Sequence, residues 1–297
     1  MNTPLLVLPW LTTAHAGELL SLQVKSTAPV EYQAPEPVTA EVNSAAAELV
    51  VPLPVREGLY VIPGVHYRLE APRFIDPTED TIPVPRLHEI ATSLAAMKTL
   101  GPQWSVLGRV SAGLAGDLHA LDANVVRIEG LVLGQRAVSD NLDLGLGAAA
   151  TYAFGQLMPI PVVKLRWAPS EVFEITGLLP ASLDVTWTPR EALRLGVFGE
   201  LVGNEYAVRL DEIHLAAPCA GEDADPSQCL DHIAYTDGNT GAFVGVNLRG
   251  GLWLTGRVGA SIYRRFELLN ADDEPVTGGE QRLSPAPSGE LLLSWEY

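Results

Sequence analysis

GELLLSWEY, residues 289–297, sets Leu291, Leu293, Trp295 and Tyr297 at every second position, with Glu290, Ser294 and Glu296 among the residues between them. A period of two is the signature of a strand with one apolar and one polar face. The pattern runs up to an aromatic at the last position. A soluble domain usually frays into a few polar residues after such a strand.

The same alternation recurs from Glu18 onward, and 3.6-residue apolar periodicity is almost absent. Roughly fourteen such stretches are expected. They lie near 18–32, 39–53, 59–71, 87–99, 103–115, 124–137, 142–154, 160–168, 171–179, 182–188, 192–208, 232–248, 252–266 and 289–297. Tight turns at REG (56–58), LGPQ (100–103), VSDN (138–141), APSE (168–171), TPRE (188–191) and RGG (249–251) alternate with connections that are mostly longer and polar or Pro-rich. Those include PRFIDPTEDTIPVPR, GDLHALDAN, FGQLMP, DEIHLAAPCAGEDADPSQCLD and NADDEPVTGGEQRLSPAPS. Turns on one side and loops on the other are the plan of an outer-membrane barrel with periplasmic turns and extracellular loops.

Composition agrees. Hydrophobic residues make up 47% and charged residues 19%, yet no run of eighteen apolar residues exists to form a membrane helix. Nineteen basic against 36 acidic residues give a net charge of −17, which argues against nucleic acid as a partner. The beginning, MNTPLLVLPWLTTAHAG, has an apolar core from Leu5 to Leu11 and a small-x-small Ala14-His15-Ala16, the outline of a secretory signal over residues 1–16 that lacks the usual basic start. A barrel domain over 17–297 follows.

Strand parity assigns the faces. Leu252, Leu254, Gly256, Val258, Ala260 and Ile262 share one face, and Thr255, Arg257, Gly259, Ser261 and Tyr263 the other. The same alternation, extended along the chain, turns Arg68, Glu70, Arg109, Arg127, Glu129, Lys164, Arg166, Glu174, Asp184, Arg194, Glu200 and Arg257 toward a lumen. If acids and bases pair, they fill it; if the bases converge alone, they form an anion-favouring constriction. Trp104, Trp167, Trp187, Trp253 and Trp295 sort to the turn end, with Trp253 inward. Tyr32, Tyr67, Tyr152, Phe154, Tyr206, Tyr263 and Phe266 sort to the loop end as a second belt.

Other motifs are weak. Cys219 and Cys229 flank nine residues of the acidic loop, and a loop-closing disulfide is the simplest account of them. With His214 and His232 they match no familiar zinc spacing. Clustered carboxylates such as Glu222, Asp223 and Asp225 suit a solvated rim or a divalent bridge to lipopolysaccharide. Gly145 and Gly147 with Ala150 fit G-x-G-x-x-A, but a strand continues where that fingerprint needs a helix. No G-x-S-x-G elbow or H-E-x-x-H occurs, and His66 reads as a lumen hydrogen-bonding residue.

The segment WAPSEVFEITGLLPASLDVTWTPREALRLGVFGELVGNEYAV resembles a family of Gram-negative outer-membrane β-barrels of unassigned function. The likeness rests on Trp167-Ala168-Pro169-Ser170, the Leu179-Pro180 corner, Trp187-Thr188-Pro189 and Leu193-Arg194-Leu195-Gly196. It is clearest from Trp104 to Leu210 and implies a barrel in the cell envelope, with no catalytic residues to transfer. Outer-membrane barrels resemble one another in ending on an aromatic. Leu291, Leu293, Trp295 and Tyr297 match such a signal to the assembly machinery.

The expectation is an all-β, antiparallel up-and-down transmembrane barrel of about fourteen strands, twelve being the alternative. It would be exported to the outer membrane, with lipid and lipopolysaccharide around it, no cofactor and no metal. A non-enzymatic passive channel or transporter for small solutes leads. The alternatives are a lipid hydrolase with a Ser/His pair at the outer rim, and a structural barrel whose lumen is plugged by paired Arg and Glu.

Overall fold

The computed structural model describes residues 18–31, 39–75, 85–118, 125–153, 156–208, 230–272 and 274–296. Fourteen long strands form one closed antiparallel ring. They are β1 (Glu18–Thr27), β2 (Thr39–Val50), β3 (Leu59–Ile75), β4 (Leu87–Thr99), β5 (Trp104–Gly116), β6 (Val126–Ser139) and β7 (Leu142–Ala153). The second half is β8 (Gln156–Ser170), β9 (Phe173–Leu179), β10 (Ser182–Arg190), β11 (Leu193–Ala207), β12 (His232–Arg249), β13 (Leu252–Leu269) and β14 (Ala286–Glu296). Each pairs with its sequence neighbours, and β14 closes on β1 through Leu22↔Leu293 and Val24↔Leu291. The strand GELLLSWEY is therefore the seam. Closure matters because an open edge cannot sit in hydrocarbon with its N–H and C=O groups unpaired.

Two prolines explain two interruptions. Pro29 and Pro52 stand just before the short segments Val30–Glu31 and Leu53–Arg56, which continue the lines of β1 and β2. Proline has no N–H for the ladder and breaks strand continuity. At the turn end, Gly250 and Gly251 have φ of 57° and 84°. Two successive positive φ values are what a tight hairpin of the primed type requires.

The outward face is apolar. Val65, Val110, Val132, Leu146, Val197, Val258 and Leu291 all point away from the lumen and are exposed. No soluble protein leaves so continuous a surface uncovered, whereas a bilayer covers it. Trp104, Trp167, Trp187 and Trp295 stand exposed at the turn end, and Trp253 turns inward.

Several boundaries differ from the alternation. FGQLMP is expected as a loop, but β8 already begins at Gln156 and pairs with β7 from there. The loop after β13 contains a further strand, Pro275–Leu283, paired with the loop end of β13. Tyr263 faces out rather than in. Gly238 pairs with Tyr263 and Asn239 with Ser261, so Ile262 is one residue too many and both Ile262 and Tyr263 are exposed. The bulge returns Arg264 to the interior, where it is 1% exposed.

Candidate functional site

Two strands at the ring's notch are short. β9 and β10 span 7 and 9 residues where β8 and β11 span 15 each. β9 pairs with β8 only from Val163 downward, and β10 with β11 only up to Glu200. Above that line, among the described residues, no wall strand is laddered to one edge of β11. It leaves the wall and crosses the lumen. Ala207 forms a parallel bridge with Gly116 of β5, and Asp117 N–H donates to Ala207 O at 3.0 Å. β5 and β11 lie on opposite sides of the ring, so the ends of β11 and its partner β12 form a septum.

Burial confirms the crossing. Gly203–Ala207 and His232–Asn239 are buried without alternation. A wall strand exposes every second residue; a septum has protein on both faces. One face carries Tyr206, packed on Leu87 and Ala115, and Ile233 and Tyr235, packed on Ala40 and Val42. Asn204 Nδ2 donates to Glu89 Oε2 at 2.6 Å on this side. The other face carries Leu201, which packs against Leu131, Leu133, Ala149 and Val162 of the β6–β8 wall. Arg127 reaches Glu205 O at 3.3 Å from that wall.

The chamber on the first side is lined by paired charges. Lys25 Nζ lies 2.6 Å from Asp237 and 3.5 Å from Glu200. Arg257 bridges Glu200 at 3.5 Å and Glu290 at 3.3 Å, and its guanidinium lies over the Phe198 ring. Further round the wall Arg109 meets Glu48 at 3.2 Å, Arg68 meets Glu70 at 3.8 Å and Arg127 meets Glu89 at 3.9 Å. Ser111 donates to Glu129 at 3.2 Å. Buried charges persist only when such partners offset their lost hydration.

Near the turn end the pairs are looser. Arg166 lies between Glu174 at 2.6 Å and Asp143 at 3.4 Å with nearly half its side chain exposed. Arg194 makes a two-pronged contact with Glu296 at 2.7 and 2.8 Å and stacks on Trp253 at 3.8 Å. Lys164 donates to Gln135 at 2.9 Å, and Asp184 is buried.

Of the charges that alternation turns inward, Arg68, Arg109, Arg127, Arg166, Arg194 and Arg257 each stand within 4 Å of a carboxylate. Alternation also holds for Lys25, Glu48, Glu89 and Glu290, which complete the pairs. It could have found Lys25, which follows Leu20, Leu22 and Val24 in step with Ser21 and Gln23. It could not find Asn204, Tyr206 or Asp237 as septum residues. Tyr206 and Phe266, expected in a loop-end belt, are 0% and 5% exposed, Tyr206 because β11 crosses the lumen and Phe266 because the bulge at Ile262 turns it to the inner face with Arg264. Tyr67 and Tyr152 do stand exposed there, and Tyr67 Oη lies 3.0 Å from His88 Nδ1 on the outer face. His66 is buried in the wall. The 1–16 signal, Cys219, Cys229 and Tyr297 lie outside the described residues.

A closed antiparallel ring with an apolar exterior, a charged interior and a septum of its own strands defines a transmembrane β-barrel of the outer-membrane type. Residues 76–270 match the profile of a domain of unknown function, DUF6268, and the chain belongs to that family. No curated protein matches it. Among solved structures it is similar to a TodX monoaromatic hydrocarbon channel deltaS2 mutant, with 8% identity, TM-score 0.49, and 97% of this chain and 92% of that one covered. It is similar to the COG4313 outer membrane channel from Pseudomonas putida F1, with 9% identity, TM-score 0.47, and 97% and 98% covered. LpxR from Salmonella typhimurium aligns with 8% identity, TM-score 0.36, and 93% and 100% covered.

Proposed function

We propose that this chain is a non-enzymatic outer-membrane barrel that acts as a gated channel or transporter for small solutes, with the β11–β12 septum as its gate. The observation that carries the reading is the Ala207–Gly116 bridge across the lumen. Past Glu200 one edge of β11 stays laddered to β12, which is itself laddered to β13, while on the other edge, among the described residues, one bridge and a few side-chain contacts hold it across the lumen; a displaced septum would reopen the ring. A merely structural barrel has no need of strands that leave the wall. The paired charges oppose free passage of ions through the resting lumen.

Planar-bilayer recordings of the purified protein check this. Little steady conductance is expected at rest, with rare openings. A constant conductance at all voltages, like that of a general pore, would overturn the gate.

Export and insertion belong to the same proposal: a cleaved signal over residues 1–16, recognition of Leu291, Leu293, Trp295 and Tyr297 by the assembly machinery, and a disulfide between Cys219 and Cys229 outside the cell. Deleting Tyr297 is expected to reduce the heat-modifiable barrel in the membrane fraction several-fold. A normal yield from that deletion would remove the terminal aromatic from the insertion signal.

A further inference from the structure

The outward wall is dented where the barrel closes on itself. From β12 across the seam to β2, a groove of about 820 Å³ is lined by two neighbouring rows of outward residues. Its raised side chains are Val24, Val244, Val258 and Leu291, all exposed. Between them stand Gly256 and Gly289, which have no side chain to fill the surface. Gly256 pairs with Leu291, and Gly289 pairs with Val258 and Ser26, so each gap adjoins a branched side chain. A Cβ placed on Gly289 would meet nothing within 4 Å. Lys25, Arg257 and Glu290, between the two rows, also border the groove. Their side chains turn to the charged chamber and pair there, so what they offer the groove is main chain.

The loop-side end of the groove is polar. On this outer face Ser26 Oγ donates to Asn43 Oδ1 at 2.6 Å, and the Asn43 amide N–H groups have no acceptor among the described residues. One outward step nearer the loops, Arg73 meets Glu41 at 2.8 Å with 57% of the Arg73 side chain exposed. Charge on the lipid face of a barrel is costly at the midplane and nearly free at the interface, so this pair marks headgroup level. Hydrocarbon-sized space, then an amide donor, then a cation is the order in which an anionic lipid presents its chain, its carbonyl or hydroxyl oxygen and its phosphate. The loop side of such a barrel faces the cell exterior, and the anionic lipid of that leaflet is lipopolysaccharide. A second copy of this chain fits the shape less well. A two-fold contact sets a patch against itself, and a groove facing a groove encloses a void.

We propose that this groove is a binding site for lipopolysaccharide. One acyl chain lies over Gly256 and Gly289, an oxygen near its head accepts from the Asn43 amide, and a phosphate stands at Arg73. The site rests on the outer-membrane reading of the barrel and asks nothing of the septum.

Lipid retention tests it. The full chain is reconstituted in phosphatidylcholine vesicles that hold deep-rough lipopolysaccharide and phosphatidylglycerol in equal small amounts, then released into mild detergent and weighed by native mass spectrometry. Most barrels are expected to keep a lipopolysaccharide molecule and few to keep phosphatidylglycerol. Gly289→Phe fills the dent and is expected to lower the lipopolysaccharide-bound fraction several-fold. Gly108→Phe is the control, because it adds the same ring between the exposed Val106 and Val110, where a Cβ also meets nothing within 4 Å. It should leave retention as it is. Asn43→Leu keeps the dent and removes the donor, and should also lower retention several-fold. Equal retention in Gly289→Phe and the unaltered chain, or equal retention of the two lipids, overturns the site. A barrel dimer that Gly289→Phe dissolves also overturns it, since the groove would then belong to a second copy. Should Gly289→Phe not yield a heat-modifiable barrel, the preference between the two lipids on the unaltered chain decides alone. Failure of retention leaves the septum's conductance behaviour untouched, whereas steady conductance of the unaltered protein removes the gate whatever lipid is retained.

Discussion

Gly116→Val is expected to convert a barrel that is closed at rest into one that conducts. Gly116 lies at the end of β5 under the tip of the septum, and a Cβ placed there would sit 2.7 Å from Ala207 O and 3.4 Å from Val125 Cγ1. The first contact is with backbone and cannot be relieved by a rotamer. The branched side chain must push the septum end away, which breaks the Asp117 N–H to Ala207 O bond. A lost hydrogen bond of this kind costs about 1 kcal/mol, and unrelieved overpacking adds about 1–3 kcal/mol. At about 1.4 kcal/mol per tenfold, a shift of about 3 kcal/mol raises the open population on the order of a hundredfold.

Single-channel recordings read that directly as open probability. Gly108→Val is the control, since it makes the same chemical change on the same strand where nothing lies within 4 Å of the added Cβ. It should leave the closed state as it is. Equal open probability in the Gly116 variant and the unaltered protein would mean that the septum end is not what closes the lumen. Asn204→Ala removes the 2.6 Å bond to Glu89 and should act in the same direction with a smaller effect.

What alternation could reveal follows from its physics. A period of two reports which phase each face of a strand meets, and it holds wherever the strand is wall. Thus the closing strand and the fourteen-strand ring were legible in the alternation. The signal fails where a strand stops being wall. In VGNEYA (202–207) and HIAYTDGN (232–239) both faces are covered by protein, so there is no alternation to detect. These windows look like ordinary strand ends beside a long loop. The bulge at Ile262 is equally silent, because one extra residue changes the face of every position after it without altering composition. One clue to the notch was present: FGQLMPIPV contains Pro159 and Pro161, and alternate prolines in a strand argue for a free edge. The Leu179-Pro180 corner marks where the short strands end.

The second large effect concerns the charged chamber. Lys25→Met is expected to cost about 3–5 kcal/mol of barrel stability, the range for removing one partner of a buried ion pair. Lys25 and Asp237 have side chains 11% and 5% exposed and are 2.6 Å apart, and the same ammonium serves Glu200 at 3.5 Å. Without it Asp237 loses its cation, while Glu200 keeps Arg257. The loss should appear as a lower denaturant or temperature midpoint for the change between the compact and unfolded gel species. Salt should not mimic it, because buried pairs are screened far less than exposed ones. The double variant Lys25→Met/Asp237→Leu removes both charges and should recover most of the loss, since a buried pair exchanged for apolar groups of similar volume is often near neutral. If the two changes simply add, Lys25 and Asp237 act independently and the network is not what rigidifies this side of the lumen. If the double variant recovers stability and also opens more often, the pair holds the septum shut as well as holding the wall together. Asp237 would then be the residue through which charge in the lumen is coupled to the gate, because it stands on β12 opposite Val202 of β11, inside the septum itself.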